Sequence, residues 1–411
     1  MKFVRLMITG LRILRIEGPR SFLFRTQKRL QAGITGHTIT LPVKTEDALA
    51  ADWSEPPVQL STPISVESGP VTIAWIMSPP SPTSGGHQNL FRFIDFAEKA
   101  GHRCLIYFYT NTPVVVNSRD MRAMLRKSAA YPDIKAEMSM YDRDKGVDPS
   151  AQAIFATGWE TAYPTFLDKS TARRFYFVQD FEPSFYPAGS EALLAENTYR
   201  FGFHGMTAGG WLSHKLHADY GMQTDHFDFA VETQFYHVTN TEPRKEIFFY
   251  ARPVTPRRGW EIGLMALEQF AAARPDITIN LAGWDVSSWD IPFPHKNLSG
   301  VDISQLNAIY NRCAAGLVLS ASNLSLLPLE LIASGVTPVV NDAPNNRMVS
   351  DNPFIEYVPS APGAIAKRLI EVVDRKDDAE RSVAMSQSLE GVTWEHSGDQ
   401  FVRAFERAMR G

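Results

Sequence analysis

Cysteine is nearly absent from this sequence, as are several other features that mark particular classes of protein. The 411 residues include two cysteines, Cys104 and Cys313, and each lies in an apolar run. Isolated cysteines of this kind are typical of core residues in a reducing compartment, which argues against a disulfide or a metal-binding pair. No apolar run approaches the roughly 18 residues of a membrane-spanning helix. The net charge of −4 argues against broad nucleic-acid binding.

The local signatures of several enzyme classes are also missing. The chain has no P-loop, no HExxH, no GxSxG and no Cys/His spacing suited to zinc. Asp142 and Asp144 match a DxD pattern, but they lie in a charged loop that no buried strand precedes, so a solvated loop is favoured over a metal site. The sequence therefore predicts no metal site and no bound cofactor.

The first 70 residues have a different composition from the remainder. Residues 1–31 carry eight lysines and arginines against one acid, Glu17, and basic and apolar residues fall on opposite sides of a helix. Such a helix could lie on an anionic membrane surface or pack its apolar face on the protein, and both alternatives stay open. Residues 32–70, rich in Thr, Ser and Pro, predict a linker or surface wrap. No clean signal peptide is present, so we expect a cytoplasmic protein, peripheral on the inner membrane face if residues 1–31 bind it.

From residue 71 onwards, predicted strands and helices alternate. Residues 71–77 and 104–109 are apolar runs on either side of an amphipathic helix at 89–100, and a second series begins at residue 246. This alternation predicts parallel sheets with right-handed crossovers, and the chain is long enough for two cores. We therefore predict an α/β fold of two Rossmann-like domains facing a cleft.

The domain boundaries follow from the same pattern. Residues 1–70 form the N-terminal segment, 71–243 an acceptor-binding domain and 244–394 a nucleotide-sugar-binding domain. A last helix at 395–411 could pack back on the first of these domains.

The stretch 316–342 reads as strand, polar loop, short helix and strand. Pro328 suits the first turn of the helix and Gly335 the position past its end. Glu330 then lies in the first helical turn, at the edge where open α/β sheets bind ligands, and its carboxylate could accept two ribose hydroxyls. Alternatively, Glu330 only complements the helix dipole. Because Leu327 stands where a capping box needs Ser or Thr, the ligand-binding interpretation is favoured.

A basic loop at residues 252–259 joins a predicted strand to a helix. Its guanidinium groups, Arg252, Arg257 and Arg258, together with the following helix N-terminus, would suit a pyrophosphate. Arginines can also neutralise a departing diphosphate without a metal. The alternative is a loop of solvated arginines, but three at this particular junction favour the phosphate site.

Two places in the first half could also carry chemistry. Gly85, Gly86 and His87 open the first helix, where a ligand could approach the backbone N–H groups. They do not form GxGxxG, so a dinucleotide site is poorly supported. Asp180 and Glu182 follow a strand, and they are either turn acids or a general base and an anchor for an acceptor hydroxyl.

Several blocks, in order, resemble glycosyltransferase family 4, and the span 71–395 is similar to rhamnosyltransferases of the WsaF kind. The blocks are GGHQNLFRFIDFAEKAGH, YFVQDFEPSFYP, MTAGGWLSHKLHADYG through FAVETQFYH, FYARPVTPRRGWEIGLMALEQF and the stretch 316–342. Glu232 stands where most members have Asp.

The resemblance implies a set of site residues. Arg252 takes the place of the family's arginine, Arg257 or Arg258 that of its lysine, and Glu330 that of its ribose-binding glutamate. Ser322 replaces the first glutamate of the paired motif and brings no charge to the donor sugar. The implied donor-binding residues are Arg252, Arg257, Arg258, Ser322, Asn323, Leu324 and Glu330, and the implied catalytic residues are Asp180, Arg257 and Glu330.

The resemblance also implies a fold and a reaction. The fold is GT-B, and the reaction moves a sugar, L-rhamnose from dTDP-L-rhamnose, onto a lipid-linked or glycan acceptor of a growing surface polysaccharide. The nucleotide-sugar is a substrate, and no metal is expected. If the reaction inverts the anomeric carbon, Asp180 is the candidate base. A nonhydrolysing sugar-nucleotide epimerase and a catalytically silent sugar-binding protein, which Ser322 keeps open, are the alternatives.

Overall fold

The computed structural model describes residues 41–56, 69–81, 84–112, 116–128, 131–376 and 378–410. The basic segment 1–31 lies outside these residues, so both of its interpretations stay predictions. Within the described ranges, no helix has the length and apolar character needed to cross a membrane. Cys104 and Cys313 are both buried as free thiols, as expected of core residues.

The N-terminal half is built on a sheet of seven parallel strands, in the order β3-β2-β1-β4-β5-β6-β7. The strands are β1 Thr72–Met77, β2 Arg103–Phe108, β3 Glu137–Met140, β4 Ala151–Ala156, β5 Arg173–Val178, β6 His204–Ala208 and β7 Gln223–Phe227. The helices of this half are α1 Thr45–Ala50, α2 Gly85–Lys99, α3 Ser118–Leu125, α4 Trp159–Leu167, α5 Ser190–Asn197 and α6 Gly210–Tyr220, with 3-10 turns at Glu182–Phe185 and Thr198–Arg200.

The C-terminal half has a sheet of six parallel strands, in the order β10-β9-β8-β11-β12-β13. The strands are β8 Glu246–Tyr250, β9 Thr278–Ala282, β10 Lys296–Ser299, β11 Cys313–Val318, β12 Thr337–Asn341 and β13 Glu356–Val358. The helices are α7 Trp260–Ala273, α8 Ile303–Tyr310, α9 Leu327–Ala333, α10 Pro344–Arg347, α11 Pro362–Val373, α12 Asp378–Gln387 and α13 Trp394–Arg410, with a 3-10 turn at Pro256–Arg258.

The last described helix, α13, packs on the first sheet. Its buried residues recur at helical spacing, and Phe401 and Phe405 enter the aromatic core around Trp75 and Phe155. Gly398 allows α13 to approach α2 closely, because a Cβ there would lie 2.5 Å from the ring of Phe96. Each fully buried phenylalanine contributes about 1.5–3 kcal/mol to stability. The chain therefore passes from the first domain to the second and back again.

Strand order decides where each sheet can bind a ligand. In the first sheet the order reverses between β1 and β4, and in the second between β8 and β11. At such a switch point the flanking loops part on the two faces of the sheet and leave a crevice outside the carboxyl ends of the strands. The segments that follow β8 and β11 are the arginine loop and the loop leading to α9. These two segments are the ones that the sequence singles out.

The four strands that the sequence pattern did not predict are the four edge strands, β3, β7, β10 and β13. Three of them read EMSM, QTDHF and KNLS, with no apolar run. An edge strand has one exposed hydrogen-bonding side, and polar residues there prevent pairing with another chain. Periodicity therefore identifies the central strands and not the edges.

Candidate functional site

The carboxyl ends of β8 and β11 bring together two predicted segments, the arginine loop and the turn that begins α9. Helix α9 packs tightly on β11 because Gly316 has no side chain, and a Cβ there would lie 2.4 Å from Leu331 Cδ1. The helix has proline in its first turn, and Gly335 just beyond it has a φ of +72°. These residues place Glu330 in the first turn of α9, as the sequence predicts.

Two tyrosine hydroxyls hold the half-buried carboxylate of Glu330. The hydroxyl of Tyr310 donates to Glu330 Oε2 at 3.3 Å, and that of Tyr236 forms a second hydrogen bond to the carboxylate. The two rings stack with their centroids 5.8 Å apart. Burial raises the pKa of Glu330 to about 7, while the hydrogen bonds from the two hydroxyls act in the opposite direction. The group can therefore change protonation near neutral pH, and a ligand that donates hydrogen bonds would favour its charged form.

Arg258 is a structural residue of the loop in this conformation. Its Nη1 donates to Ser320 Oγ at 2.9 Å and to the carbonyl of Asn323 at 3.3 Å. A further bond joins the backbone of the same two loops, from Ala321 N to the carbonyl of Arg257 at 2.8 Å. The guanidinium of Arg258 therefore ties the arginine loop to the loop that follows β11.

Arg257 reaches the other domain, whereas Arg252 does not share its contacts. The Arg257 guanidinium lies 3.9 Å from the ring centroid of Phe185, and its Nε is 3.3 Å from Asp180 Oδ2. Arg252 Nη1 donates to the carbonyl of Gly283 at 3.4 Å, and its guanidinium lies 5.9 Å from the ring of Trp284. The two residues therefore point to different parts of the crevice.

Asp180 joins the two domains instead of standing free in the cleft. Its Oδ1 accepts from Phe181 N at 2.9 Å and from Asn323 N at 2.8 Å, while Oδ2 faces Arg257 at 3.3 Å and Arg258 at 4.0 Å. The residue is 9% exposed. A general base needs an oxygen that can reach the acceptor proton, and in this conformation both oxygens of Asp180 have partners. Asp180 as the base stays a prediction.

The donor-sugar contacts predicted at residues 322–324 are also directed elsewhere. Ser322 and Leu324 are buried, and no described atom forms a hydrogen bond with Ser322 Oγ. Asn323 Nδ2 donates to the carbonyls of Gln179 at 3.0 Å and Ala208 at 2.9 Å, both in the N-terminal domain. Asn323 therefore lies in the domain junction. Ser322 is fully buried in this conformation, and its contact with a donor sugar stays a prediction.

A cluster of buried asparagines, which the sequence analysis did not single out, binds the backbone of the loop that follows β11. Asn341 pairs with both backbone groups of Ser320, accepting at 2.8 Å and donating at 2.9 Å. Asn345 and Asn346 donate to the carbonyl of Ser320 as well. The NDAPNN run after β12 was the available signal, since buried amides at a strand end commonly bind neighbouring loop backbone.

The glycine turn of the first sheet is capped locally. Ser84 caps α2, and the ring of His87 places Nδ1 2.7 Å from the Ser84 hydroxyl and Nε2 2.9 Å from the Ser78 carbonyl. Burial lowers the pKa of His87, so its ring is neutral at physiological pH. A Cβ at Gly85 would meet nothing within 4 Å, which leaves room for a ligand beside this turn. His87 itself has both ring nitrogens occupied.

Glu182 is a buried acid, not an exposed turn residue. Its Oε2 accepts from Trp159 N and from the Tyr176 hydroxyl, both at 2.6 Å. Burial, together with the nearby charge of Glu160, raises the pKa of Glu182 to about 8. Glu182 therefore retains its proton at neutral pH and lies on the 3-10 turn that packs on the arginine loop.

We expect Glu182→Gln to stabilise the protein at alkaline pH. The folded pKa lies above the ordinary value near 4.5, so the folded state binds the extra proton and stability falls as pH rises from about 4.5 to about 8. Since one pKa unit corresponds to about 1.4 kcal/mol, we expect a gain of roughly 2–4 kcal/mol at pH 9 and little change at pH 5. Urea unfolding at both pH values measures this change in the free energy of unfolding, with substitution of the exposed Glu268 by Gln as the control. Equal stabilities of wild type and Glu182→Gln at pH 9 would contradict the prediction.

No described group of three or more His, Cys, Asp and Glu side chains could hold a metal ion. Asp142 and Asp144 lie in an exposed turn, where Asp142 Oδ1 accepts from Asp144 N at 3.0 Å and its carboxylate pairs with Lys145. The carboxylate of Asp142 therefore stabilises the turn itself.

Two Rossmann-like domains, each a parallel sheet with its crevice at a strand-order reversal, define the GT-B fold, which confirms the predicted fold class. Sucrose-phosphate synthase from Thermosynechococcus elongatus shares this fold, with a TM-score of 0.62 at 12% identity over 82% of this chain and 99% of that one. Anabaena Alr3699/HepE, solved in complex with UDP and glucose, gives 0.60 at 12% identity over 82% and 100%. TarM gives 0.64 at 8% identity over 83% and 99%.

Residues 245–370 match the family described as WsaF, C-terminal domain. The O-antigen biosynthesis protein RfbC of Myxococcus xanthus is 29% identical over 375 residues. That alignment covers 85% of this chain and 29% of RfbC, so the chain spans less than a third of the relative's length. Together with the fold, these matches confirm the resemblance to WsaF-like glycosyltransferases.

Proposed function

We propose that the protein is a glycosyltransferase of surface polysaccharide synthesis, with dTDP-L-rhamnose as donor and a lipid-linked or glycan acceptor. One observation carries the proposal: a carboxylate and an arginine loop occupy the switch point of the second sheet, and the N-terminal domain contacts the loop at Arg257. The names of its relatives support it, since RfbC is an O-antigen biosynthesis protein and HepE was solved with UDP and glucose. Rhamnose is the sugar that the WsaF-like sequence blocks favour.

The donor would bind along the crevice between β8 and β11. The carboxylate of Glu330, already held by two tyrosine hydroxyls, would accept the two ribose hydroxyls. Arg257 lies in the 3-10 turn just before α7, so a diphosphate beside it would also meet the backbone N–H groups at the N-terminus of that helix. A diphosphate would compete with Asp180 for this guanidinium, because both are anions.

The arginines would supply the electrostatic part of catalysis. The acceptor oxygen bonds to the anomeric carbon as the bond to the diphosphate breaks, and negative charge collects on the leaving group, which can take up the proton that the acceptor hydroxyl loses. Arg257 would stabilise that charge more strongly in the transition state than in the bound donor. Because guanidinium groups can neutralise the diphosphate, we propose transfer without a metal ion.

A donor screen followed by a transfer assay tests the proposal. A ligand that binds only the folded state stabilises it and so raises the melting temperature. At a ligand concentration of 100 Kd, the free energy of unfolding increases by about 2.7 kcal/mol. We expect dTDP-L-rhamnose to raise it more than UDP- or GDP-sugars, with EDTA making no difference. We further expect dTDP release to require a glycan acceptor.

The other outcomes separate the alternatives. An isomerised sugar formed from the donor without acceptor would identify an epimerase. A protein that binds no nucleotide-sugar and releases no nucleotide would overturn the transferase proposal in favour of a silent sugar-binding protein.

A further inference from the structure

The loop of the donor domain that follows β11 is bonded directly to the acceptor domain. Asn323 makes three of these bonds: its backbone N–H donates to Asp180 Oδ1 at 2.8 Å, and its side chain donates to the carbonyls of Gln179 at 3.0 Å and Ala208 at 2.9 Å. Gln179 and Asp180 follow β5, and Ala208 ends β6. The residue therefore bridges the ends of two adjacent strands.

The surroundings of this contact make it a fixed docking point. Asn323 is 1% exposed, and its carbonyl accepts a hydrogen bond from Arg258. This bond ties the arginine loop to the domain junction. Close approach of the domains continues at Gly210, where a Cβ would lie 3.5 Å from the carbonyl of Met348. Both protons of the Asn323 amide are used across the domain boundary, so a side chain without two donors cannot reproduce the contact.

The contact lies beside both switch points. Strand β5 is the neighbour of β4 in the first sheet, and the loop with Asn323 leaves β11, one of the two switch-point strands of the second. Any rotation of the domains about this junction would move the donor crevice relative to the acceptor crevice. A shift of the reacting atoms by about 1 Å can reduce a rate by about 100-fold.

We infer that Asn323 is a positioning residue that docks the donor loop on the ends of β5 and β6 and so aligns the donor sugar with the acceptor. The inference rests on the proposed transferase function and differs from donor binding. Donor contacts from Glu330 and the arginine loop lie within the second domain, so affinity for the nucleotide does not depend on the Asn323 contacts. Alignment of the donor sugar with the acceptor across the cleft does depend on them.

The test compares Asn323→Ala and Asn323→Asp with wild type in three measurements: donor Kd by calorimetry, kcat of transfer, and melting temperature. We expect kcat to fall roughly 10–100-fold in Asn323→Ala, with donor Kd within about threefold of wild type. Asn323→Asp keeps the shape but turns a carboxylate oxygen toward two carbonyls, and its kcat falls at least as far. If Asn323→Ala does not fold, Asn323→Ser, which retains one donor, supplies the measurement.

Asn280→Ala is the matched control. Asn280 is equally buried, and its side-chain amide also donates two hydrogen bonds, to Glu246 Oε2 at 2.8 Å and to the carbonyl of Ile247 at 3.2 Å, but both of these partners lie in the donor domain. It should lose stability and keep kcat. Unchanged kcat in Asn323→Ala, or a parallel rise in donor Kd that accounts for the loss, overturns the inference. A wild type that binds donor and transfers nothing overturns the proposed function instead.

Discussion

Glu330→Ala is expected to weaken binding of the nucleotide-sugar by roughly 100-fold and to abolish transfer at donor concentrations near the wild-type Kd. Each hydrogen bond to a charged group contributes about 1.5–3 kcal/mol, and two ribose hydroxyls would lose their acceptor. Calorimetric titration with dTDP-L-rhamnose measures the loss. Circular dichroism checks that the fold remains, since the change leaves Tyr310 and Tyr236 in place.

A pH titration separates this role from a merely structural one. Burial raises the pKa of Glu330 to about 7, and ribose hydroxyls bind the charged form, so donor affinity should rise with pH up to about 7. Below that value we expect affinity to fall about tenfold per pH unit, because each binding event must then release a proton. Glu330→Gln should bind weakly at every pH and lose this dependence. A wild-type affinity that is constant from pH 5 to pH 8 would exclude Glu330 from the site.

Arg257→Ala is expected to lower kcat by about 100- to 1000-fold, the usual effect of removing one group that stabilises charge in a transition state. Arg257 is the arginine that faces Asp180 and Phe185 across the cleft, and its side chain is 23% exposed. Steady-state kinetics with saturating donor and acceptor measures the change. Arg257→Lys keeps the charge without the planar fork, and we expect a loss of about tenfold.

Arg258→Ala is the informative comparison. Arg258 braces Ser320 and Asn323, so its loss should lower the melting temperature, while Arg257→Ala should leave it nearly unchanged. If Arg257→Ala retained wild-type kcat, the arginine loop would have no part in stabilising the leaving group.

The sequence predicted the parts of the fold that local pattern determines. Central strands such as β1 and β11 are apolar runs buried on both faces, and α9 is bounded by proline and glycine. Edge strands were missed because their polar residues resemble loop. The same limit applied to the arginines, which are adjacent and identical in chemistry. Both lie near Asp180, but Arg257 packs on Phe185, whereas Arg258 bonds to Ser320 and to the carbonyl of Asn323.

The sequence predicted only those features of the site that lie within one continuous segment. Glu330 follows from the helix boundary, but its two tyrosine partners come from α8 and from the segment after β7, where aromatic residues resemble ordinary core. The contact of Asp180 with Asn323 joins positions 143 residues apart. The sequence shows only that an acid follows a strand. Its partners in the second domain are too distant in the chain for a local pattern to reveal them.

The return of α13 to the first sheet has a consequence for the order in which the protein can fold. The aromatic residues that complete the first hydrophobic core, Phe401 and Phe405, are synthesised only after the whole second sheet. During translation the N-terminal half therefore exposes an apolar surface until α13 is synthesised, whereas the second sheet can complete its folding earlier. Contacts between such distant segments slow folding and expose aggregation-prone intermediates. The nascent first domain is consequently the part of the chain that we expect chaperones to bind.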